Sequence, residues 1–203
     1  MARISKQPEE RRGELLETAD RLFAEKGFAA VRVSDIVSTM GVAQGTFYYY
    51  FPSKDEVFLA LLEEKWRQIA QYLREKLARQ VDAVERLSAA LSFLIRPDAA
   101  VLENPNCRLL TDPAAMGAFH PQFDGARVKC LFPVMREVIA YGVERGTFAP
   151  FQNEEKVVKI VFLGISACFH ETPPEAVKGI LPAVCETVER VLGLPGGTVK
   201  LQF

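Results

Sequence analysis

The fold of this chain is decided by residues 28–54, which read FAAVRVSDIVSTMGVAQGTFYYYFPSK. Apolar residues recur at helical spacing in two short segments, 33–40 and about 44–50, and Gly41 lies between them. Two short helices joined by a tight turn that contains glycine form a helix-turn-helix unit. In such a unit the second helix enters the major groove of DNA, and its N-terminal residues contact base edges.

The second of these predicted helices has one apolar side and one polar side. Phe47 and Phe51 lie four residues apart, so we expect them to anchor the helix to its neighbour. A glutamine can pair bidentately with adenine, and a threonine methyl group can pack on a thymine methyl group. Tyrosine hydroxyls suit phosphate oxygens. The side that remains for DNA carries amide and hydroxyl groups, from Gln44, Thr46, Tyr48 and Tyr49.

The run GVAQGTFYYYFPSK at 41–54 resembles the recognition helix of the tetracycline-repressor (TetR) family of transcriptional regulators. Upstream, FAEKGF at 23–28 and SDIV at 34–37 resemble the same family in the right order and spacing. The resemblance covers about residues 10–65. The rest of the chain is similar to the family in length and helical plan, because the bodies of these proteins diverge.

The resemblance implies roles for individual residues of the second helix. Gln44 and Thr46 stand where the family reads bases. Tyr48 and Tyr50 occupy positions that either contact phosphate or pack inside the protein. Tyr49 fills a variable position that contacts DNA.

Three further positions belong to the expected DNA-binding surface. Lys54 matches a lysine that binds phosphate, helped by the positive end of its helix. Gly45 stands where the family often has Lys, Arg or Pro; it weakens the helix by about 1 kcal/mol relative to alanine but permits close approach. Arg32 stands near a position that usually caps the first helix of the motif, and arginine is a poor cap. Either Ser34 takes over that hydrogen bonding while Arg32 reaches phosphate, or Arg32 is a solvated loop residue.

The periodicity of the whole chain predicts an all-α fold of about nine helices, and no alternating run of strand length is present. We expect an N-terminal three-helix DNA-binding head over residues 1–53 and a larger helical body for effector binding and dimerisation over residues 54–203. Gly179 and Pro182 are expected to kink or split the last helix. Outside the motif, helices are predicted at 9–26, 54–79, 82–95, 106–117, 123–145, 153–170 and 174–192.

Charge and composition limit the kind of partner. The net charge is −1, whereas proteins that coat nucleic acid are usually strongly basic, so any DNA contact must come from a local patch. The N-terminus has no apolar signal core, and the apolar run 157–169 is shorter than the roughly 20 residues that span a bilayer. We therefore expect a cytoplasmic protein without a membrane partner.

The four cysteines and two histidines do not have the spacing of metal ligands, so neither a metal nor a cofactor is expected. The cysteines stand among apolar neighbours, which favours buried reduced thiols over redox sensors. The residues concerned are Cys107, Cys130, Cys168, Cys185, His120 and His170.

In the resembling family the body dimerises through its last two long helices, which maps the interface to about residues 153–192. The segment 157–169 is apolar on nearly all sides, so it either lies centrally in the body or is covered by a second copy. The expected interface residues are Val158, Phe162, Ile165, Phe169, Val184, Val188 and Val191.

The same resemblance implies an effector cavity between the middle helices of the body. Side chains that are aromatic or Met-rich and uncharged suit an apolar ligand, although each such residue is more often plain core than pocket lining. The candidate lining residues are Trp66, Phe93, Met116, Phe119, Phe123, Phe132, Met135 and Phe162.

Three functions remain open on the sequence. The first is a homodimeric repressor that binds double-stranded DNA at a palindromic operator and is released by a small apolar effector. The second is a DNA-binding protein whose body senses nothing and binds a protein partner or acts architecturally. The third is an all-helical enzyme, which is weakest because no nucleophile–base pair, metal set or phosphate loop is evident. A body cavity of a few hundred cubic ångströms favours the first, and a filled core favours the second.

Overall fold

The structure is a computed structural model that describes residues 7–98, 101, 104–173 and 175–201, without the side chains of Pro105, Asn106, Arg108, Pro113, His170 and Glu171. These residues form nine α-helices and one 3₁₀ segment, and no β-strand occurs among them, so the all-α prediction is confirmed. In chain order the helices are α1 (Pro8–Lys26), α2 (Val33–Met40), α3 (Gln44–Tyr50), α4 (Lys54–Ala78) and α5 (Ala83–Ile95). After the 3₁₀ segment Pro105–Thr111 follow α6 (Pro113–Ala118), α7 (His120–Glu144), α8 (Glu154–Glu171) and α9 (Val177–Leu192).

Two of the predicted elements differ from the structure. The single helix expected at 106–117 is wrong, because the 3₁₀ segment ends at Thr111 and α6 begins anew at Pro113. A proline is well placed at the start of a helix, since it has no N–H that needs an intrahelical partner. The last helix runs without interruption through Pro182, so the expected split there is not found.

The first of two compact units falls within residues 1–67 and 100–127. Its centre is a group of aromatic rings: the ring centre of Phe58 lies 4.9 Å from that of Phe28 and 4.7 Å from that of Phe119. Because α1 to α3 share this core with the start of α4, the predicted boundary between residues 53 and 54 falls inside the unit.

The second compact unit falls within residues 68–99 and 128–203. At the end of α7 the chain turns back, and the backbone N–H groups of Thr147 and Phe148 both donate to the carbonyl oxygen of Gly142. The ring of Phe148 is 2% exposed and packs directly on Gly142. Farther along, the buried carboxylate of Glu189 accepts hydrogen bonds from the backbone N–H groups of Gly197 and Val199, which ties the C-terminal segment to α9.

The expected dimer-interface residues need correction. A side chain that is already buried within one chain offers no area to a second copy, and this applies to Val158, Phe162, Ile165, Val184 and Val188. Phe169 and Val191 are partly buried. The apolar side chains that α8 exposes are instead Ile160, at 71%, and Leu163, at 39%.

The cysteines are not uniformly buried either. Cys107 is buried, and burial raises the pKa of its thiol, whereas Cys168 is exposed on α8. The other two are partly buried. Among the described helices none is long and apolar enough to cross a membrane.

Candidate nucleic-acid interface

The turn between α2 and α3 is built around Gly41. Its φ of 65° lies in the left-handed region, which glycine adopts without steric penalty. The N–H of Gly41 donates to the carbonyl of Ser38 and that of Val42 to the carbonyl of Val37, so the end of α2 is closed by backbone bonds. The helix-turn-helix predicted from the sequence is present.

Two phenylalanines hold α3 against the rest of the first unit. Phe47 is fully buried and Phe51 is 3% exposed, with 6.2 Å between the ring centres. They belong to the same core as Ile36 and Val37 of α2. The predicted anchoring face is therefore confirmed. Its packing fixes the direction in which the opposite side of α3 points.

That opposite side is open to solvent. Gln44 and Gly45 are exposed, and the exposed fractions of Tyr48 and Tyr49 are 51% and 77%. Large aromatic side chains exposed to this degree are unusual unless they serve a contact. A Cβ atom added to Gly45 would meet no other described atom within 4 Å, so nothing in the part of the chain that the structure describes obstructs close approach there.

Thr46 and Tyr50 are only partly buried and border this open side. The ring of Tyr50 lies edge-on to that of Tyr49, with 4.9 Å between the ring centres. Of the two roles that the resemblance left open for Tyr50, packing is the one that its burial favours.

The hydrogen bonding at the start of α2 differs from the role expected for Ser34. The carboxylate of Asp35, not Ser34, satisfies the local donor: its Oδ2 accepts the backbone N–H of Arg32 at 2.8 Å. An acidic residue three positions after a helix N-cap is a capping signal, so Asp35 could have been identified from the sequence. Arg32 and Ser34 are both exposed and remain available to a partner.

Lys54 has an internal role that the sequence did not reveal. Its Nζ atom donates to the carbonyl oxygens of Phe28 and Val31, both at 2.8 Å, and lies 4.1 Å from the centre of the Phe28 ring. Burial lowers the pKa of this ammonium group. Lys54, which is expected to bind phosphate, thus uses two of its three N–H donors on the α1–α2 connection.

Arg12 is a cation of α1 that lies beside the end of α3. Its guanidinium carbon lies 4.8 Å from the centre of the Phe51 ring, and the residue is exposed. A cation over an aromatic face is held in place while its donors stay free for another partner. Arg12 therefore offers positive charge beside Phe51 at the end of α3, whose own residues carry none.

The predicted effector-pocket residues lie at several places in the described part of the chain, and two of them line one apolar cavity. Met135 and Phe162 line an apolar cavity of about 30 Å³ in the second unit, together with residues of α5, α8 and α9 such as Leu91 and Val188. That volume is close to the space of a single water molecule.

The other candidates lie elsewhere. Phe119 and Phe123 are core residues of the first unit, and Trp66 packs against that core with its Nε1 atom buried and without a hydrogen-bond partner. Met116 is 42% exposed. In the second unit, Phe93 is buried and Phe132 lies 6.0 Å from Phe162 between ring centres, but neither lines the cavity.

Within the described part of the chain, no group of three or more His, Cys, Asp or Glu side chains is arranged to hold a metal ion.

Known proteins match this chain in the helix-turn-helix region and also beyond it. The family model described as bacterial regulatory proteins, tetR family, matches residues 15–61. The HTH-type transcriptional repressor KstR2 of Mycobacterium tuberculosis H37Rv is 29% identical over 165 residues, which are 79% of this chain and 80% of that protein. The HTH-type transcriptional activator FasR of Mycolicibacterium smegmatis is 34% identical over 83 residues, 41% of this chain and 38% of that protein.

Among solved structures, the complex of RolR with resorcinol is similar over 97% of each chain, with a TM-score of 0.66 and 22% identity. At this level of identity the likeness establishes the helical fold of the chain along most of its length.

Proposed function

Since the chain belongs to the tetR family of bacterial regulatory proteins and is a DNA-binding transcriptional regulator, not an enzyme, we propose that it is a repressor that leaves its operator on binding a small apolar effector. It binds a palindromic operator as a homodimer and acts in the cytoplasm, where bacterial DNA lies. The observation that carries this proposal is the side of α3 between Gln44 and Tyr49, which is open although Phe47 behind it is fully buried.

Repression is favoured over activation by the extent of the two similarities. KstR2, a repressor, is similar over 79% of this chain, whereas FasR, an activator, is similar over only 41%. A likeness that includes the body is the more relevant one, because the body decides how the head responds to a signal.

A homodimer is supported by the exposed side of α8. Ile160 and Leu163 project there, beside the small exposed residues Gly164 and Ala167. Exposed apolar side chains of this size favour association, and the same patch on two copies forms a closed symmetric pair. Two heads about 34–36 Å apart then meet successive major grooves on one side of the duplex.

Gln44→Ala tests the proposed reading of DNA. The variant should lose about 1–3 kcal/mol of discrimination at one base pair in each half-site, because a bidentate amide contact to adenine is removed. The measurement is competition binding between the operator and duplexes changed at single base pairs. Gln152→Ala, an exposed glutamine outside the head, is the matched control and should leave the preference unchanged. Equal losses on operator and random duplex would remove Gln44 as a reader.

The effector is proposed to enter the second unit at the apolar cavity lined by Met135 and Phe162, which has no polar surface. A ligand larger than a few atoms must widen this cavity, since its volume is about 30 Å³. That small volume is the specific observation that favours a second candidate, a regulator whose body takes no small ligand.

Val188→Ile separates the two candidates, because one added methylene group nearly fills the cavity. The variant should gain about 0.5–1 kcal/mol of stability and keep operator binding. Apolar compounds that release the wild type from the operator should fail to release it. Val81→Ile adds the same group at a residue that is 72% exposed and should change nothing. Release of both variants alike by the same compound places the effector elsewhere, and a wild type that no apolar compound releases supports the second candidate.

A further inference from the structure

The backbone N–H, the carbonyl group and the ring of Phe28 each contact another residue. Its N–H donates to Oδ2 of Asp112 at 2.9 Å, and its carbonyl accepts from Nζ of Lys54 at 2.8 Å. Its ring packs against Phe58 and Phe119, with 4.9 and 5.2 Å between ring centres. Phe28 is the second residue of the connection between α1 and α2, which covers residues 27–32, so these contacts fix where α2 begins.

The two carboxylate oxygens of Asp112 have different partners. Oδ1 accepts the backbone N–H groups of Ala114 and Ala115, at 3.0 and 3.1 Å, and so caps α6. Oδ2 accepts the N–H of Phe28, which lies 84 positions earlier in the chain. Burial raises the pKa of Asp112, but the three backbone hydrogen bonds outweigh it and hold the pKa below its usual range. The group is therefore ionised at neutral pH, and its bonds are charge-assisted.

The carboxylate of Asp112 lies close to the connection between α1 and α2. A Cβ atom added to Gly27, whose φ is 80°, would lie 3.6 Å from Oδ2 of Asp112. Gly27 ends α1 with its N–H bonded to the carbonyl of Phe23. The N–H of Phe28, by contrast, receives its acceptor from a residue far away in the sequence, and an unsatisfied donor on a residue that is 8% exposed is unfavourable.

We infer that Asp112 is a positioning residue for DNA binding: through Phe28 it ties the α1–α2 connection to the start of α6, so that the helix-turn-helix and α6 move together. This inference rests on the proposed function for its effect on DNA binding, but the hydrogen bond between Asp112 and Phe28 is a property of the chain itself. A shift of α6 pulls the N–H of Phe28 with it, and α2 follows because Arg32 is only four residues farther on.

Asp112→Asn separates the two roles of the carboxylate. Asparagine caps a helix as well as aspartate does, so its amide oxygen keeps the bonds to Ala114 and Ala115. The second oxygen becomes an NH₂ group, which is a donor and cannot accept from Phe28. Asp82→Asn is the matched control, because Oδ1 of Asp82 caps α5 with the same pair of bonds, to Val84 and Glu85 at 2.8 and 2.9 Å.

The sign of the effect on DNA affinity distinguishes positioning from simple charge. Both substitutions remove one negative charge, which by electrostatics alone strengthens binding to a polyanion. We expect Asp112→Asn instead to weaken operator binding about tenfold, a loss on the order of one charge-assisted hydrogen bond. Asp82→Asn should bind the operator as the wild type does or slightly more tightly.

The second readout is hydrogen exchange of the Phe28 amide by NMR. It should speed up in Asp112→Asn while amides in the buried part of α1, around Leu15 and Ala19, keep their protection, which also shows that the first unit of the variant is folded. Asp112→Ser, whose single oxygen can cap α6, should behave like Asp112→Asn and serves if the asparagine variant is unstable.

The inference is overturned if the Phe28 amide stays protected in the folded variants, or if it exchanges faster while operator affinity is unchanged or higher. Should the wild type prefer no duplex at all, the proposed function fails, and the exchange of the Phe28 amide still decides whether the tie exists.

Discussion

Replacing Lys65 with methionine should lower the free energy of unfolding by about 3 kcal/mol. Lys65 lies on α4 and is 5% exposed, and its ammonium group forms an ion pair with Asp20 of α1, which is 24% exposed. Methionine fills a similar volume but leaves the carboxylate of Asp20 poorly hydrated and without a counter-charge. The effect lies at the lower end of the usual range for buried pairs because water still reaches Asp20. Chemical denaturation of the wild type and the variant measures it.

Two controls show whether the loss comes from the unpaired carboxylate. The double variant Asp20→Asn/Lys65→Met should recover most of the stability, since a buried pair replaced by neutral groups is often nearly neutral. Arg67→Met breaks an exposed ion pair with Glu64 and should change stability by less than about 1 kcal/mol. If the double variant is as unstable as Lys65→Met, the lost packing of the lysine and not the unpaired charge explains the effect.

Gly142→Ala should destabilise the second unit by about 3 kcal/mol. A Cβ atom at this position would lie 2.1 Å from two ring carbons of Phe148, far inside van der Waals contact. Phe148 is 2% exposed, so its ring has to leave a filled site or the turn at the end of α7 has to open. Thermal unfolding followed by circular dichroism gives the change in stability.

Gly125→Ala is the control within the same helix. A Cβ atom at Gly125 would meet nothing within 4 Å, so alanine there should stabilise α7 by up to about 1 kcal/mol through its higher helix propensity. Opposite signs for the two variants are the expected result. A Gly142→Ala protein as stable as the wild type would show that Phe148 does not rest on the glycine.

The helices of the head were predictable from the sequence to within one or two residues. Gly27 and Gly41 end α1 and α2, and Pro52 separates α3 from α4, while apolar periodicity identifies each helix between them. These signals are local in the sequence, so they predict the helices without knowledge of the tertiary structure. The region around α6 was mispredicted because a segment of 7 residues and a helix of 6 are too short to show a helical period.

The roles of Lys54 and Asp112 were not predictable, because both depend on partners far away in the chain. The carbonyl groups that Lys54 binds are 26 and 23 positions away, and the N–H that Asp112 accepts is 84 positions away. The resemblance to a family supplied a role for Lys54 in a DNA complex, but nothing in the sequence indicates which carbonyl groups are left unpaired in the folded head.

The effector pocket and the dimer interface do not follow from the sequence, for a different reason. Apolar character indicates burial, but it does not tell whether a side chain is covered by its own chain, by a ligand or by a second copy. Phe119 and Val184 are covered by their own chain, and Ile160, equally apolar, is not. Exposure measured on a structure separates these cases where hydropathy cannot.

The proposed function requires that the open side of α3 reads DNA and that two copies present it together. Its most direct measurement is enrichment of randomised duplexes by the purified protein, followed by affinities for the enriched site and a scrambled duplex at one salt concentration. We expect two inverted half-sites about 10 base pairs apart between centres, bound at least about 10³-fold more tightly than the scrambled duplex. Equal affinity for enriched and scrambled duplexes would contradict it.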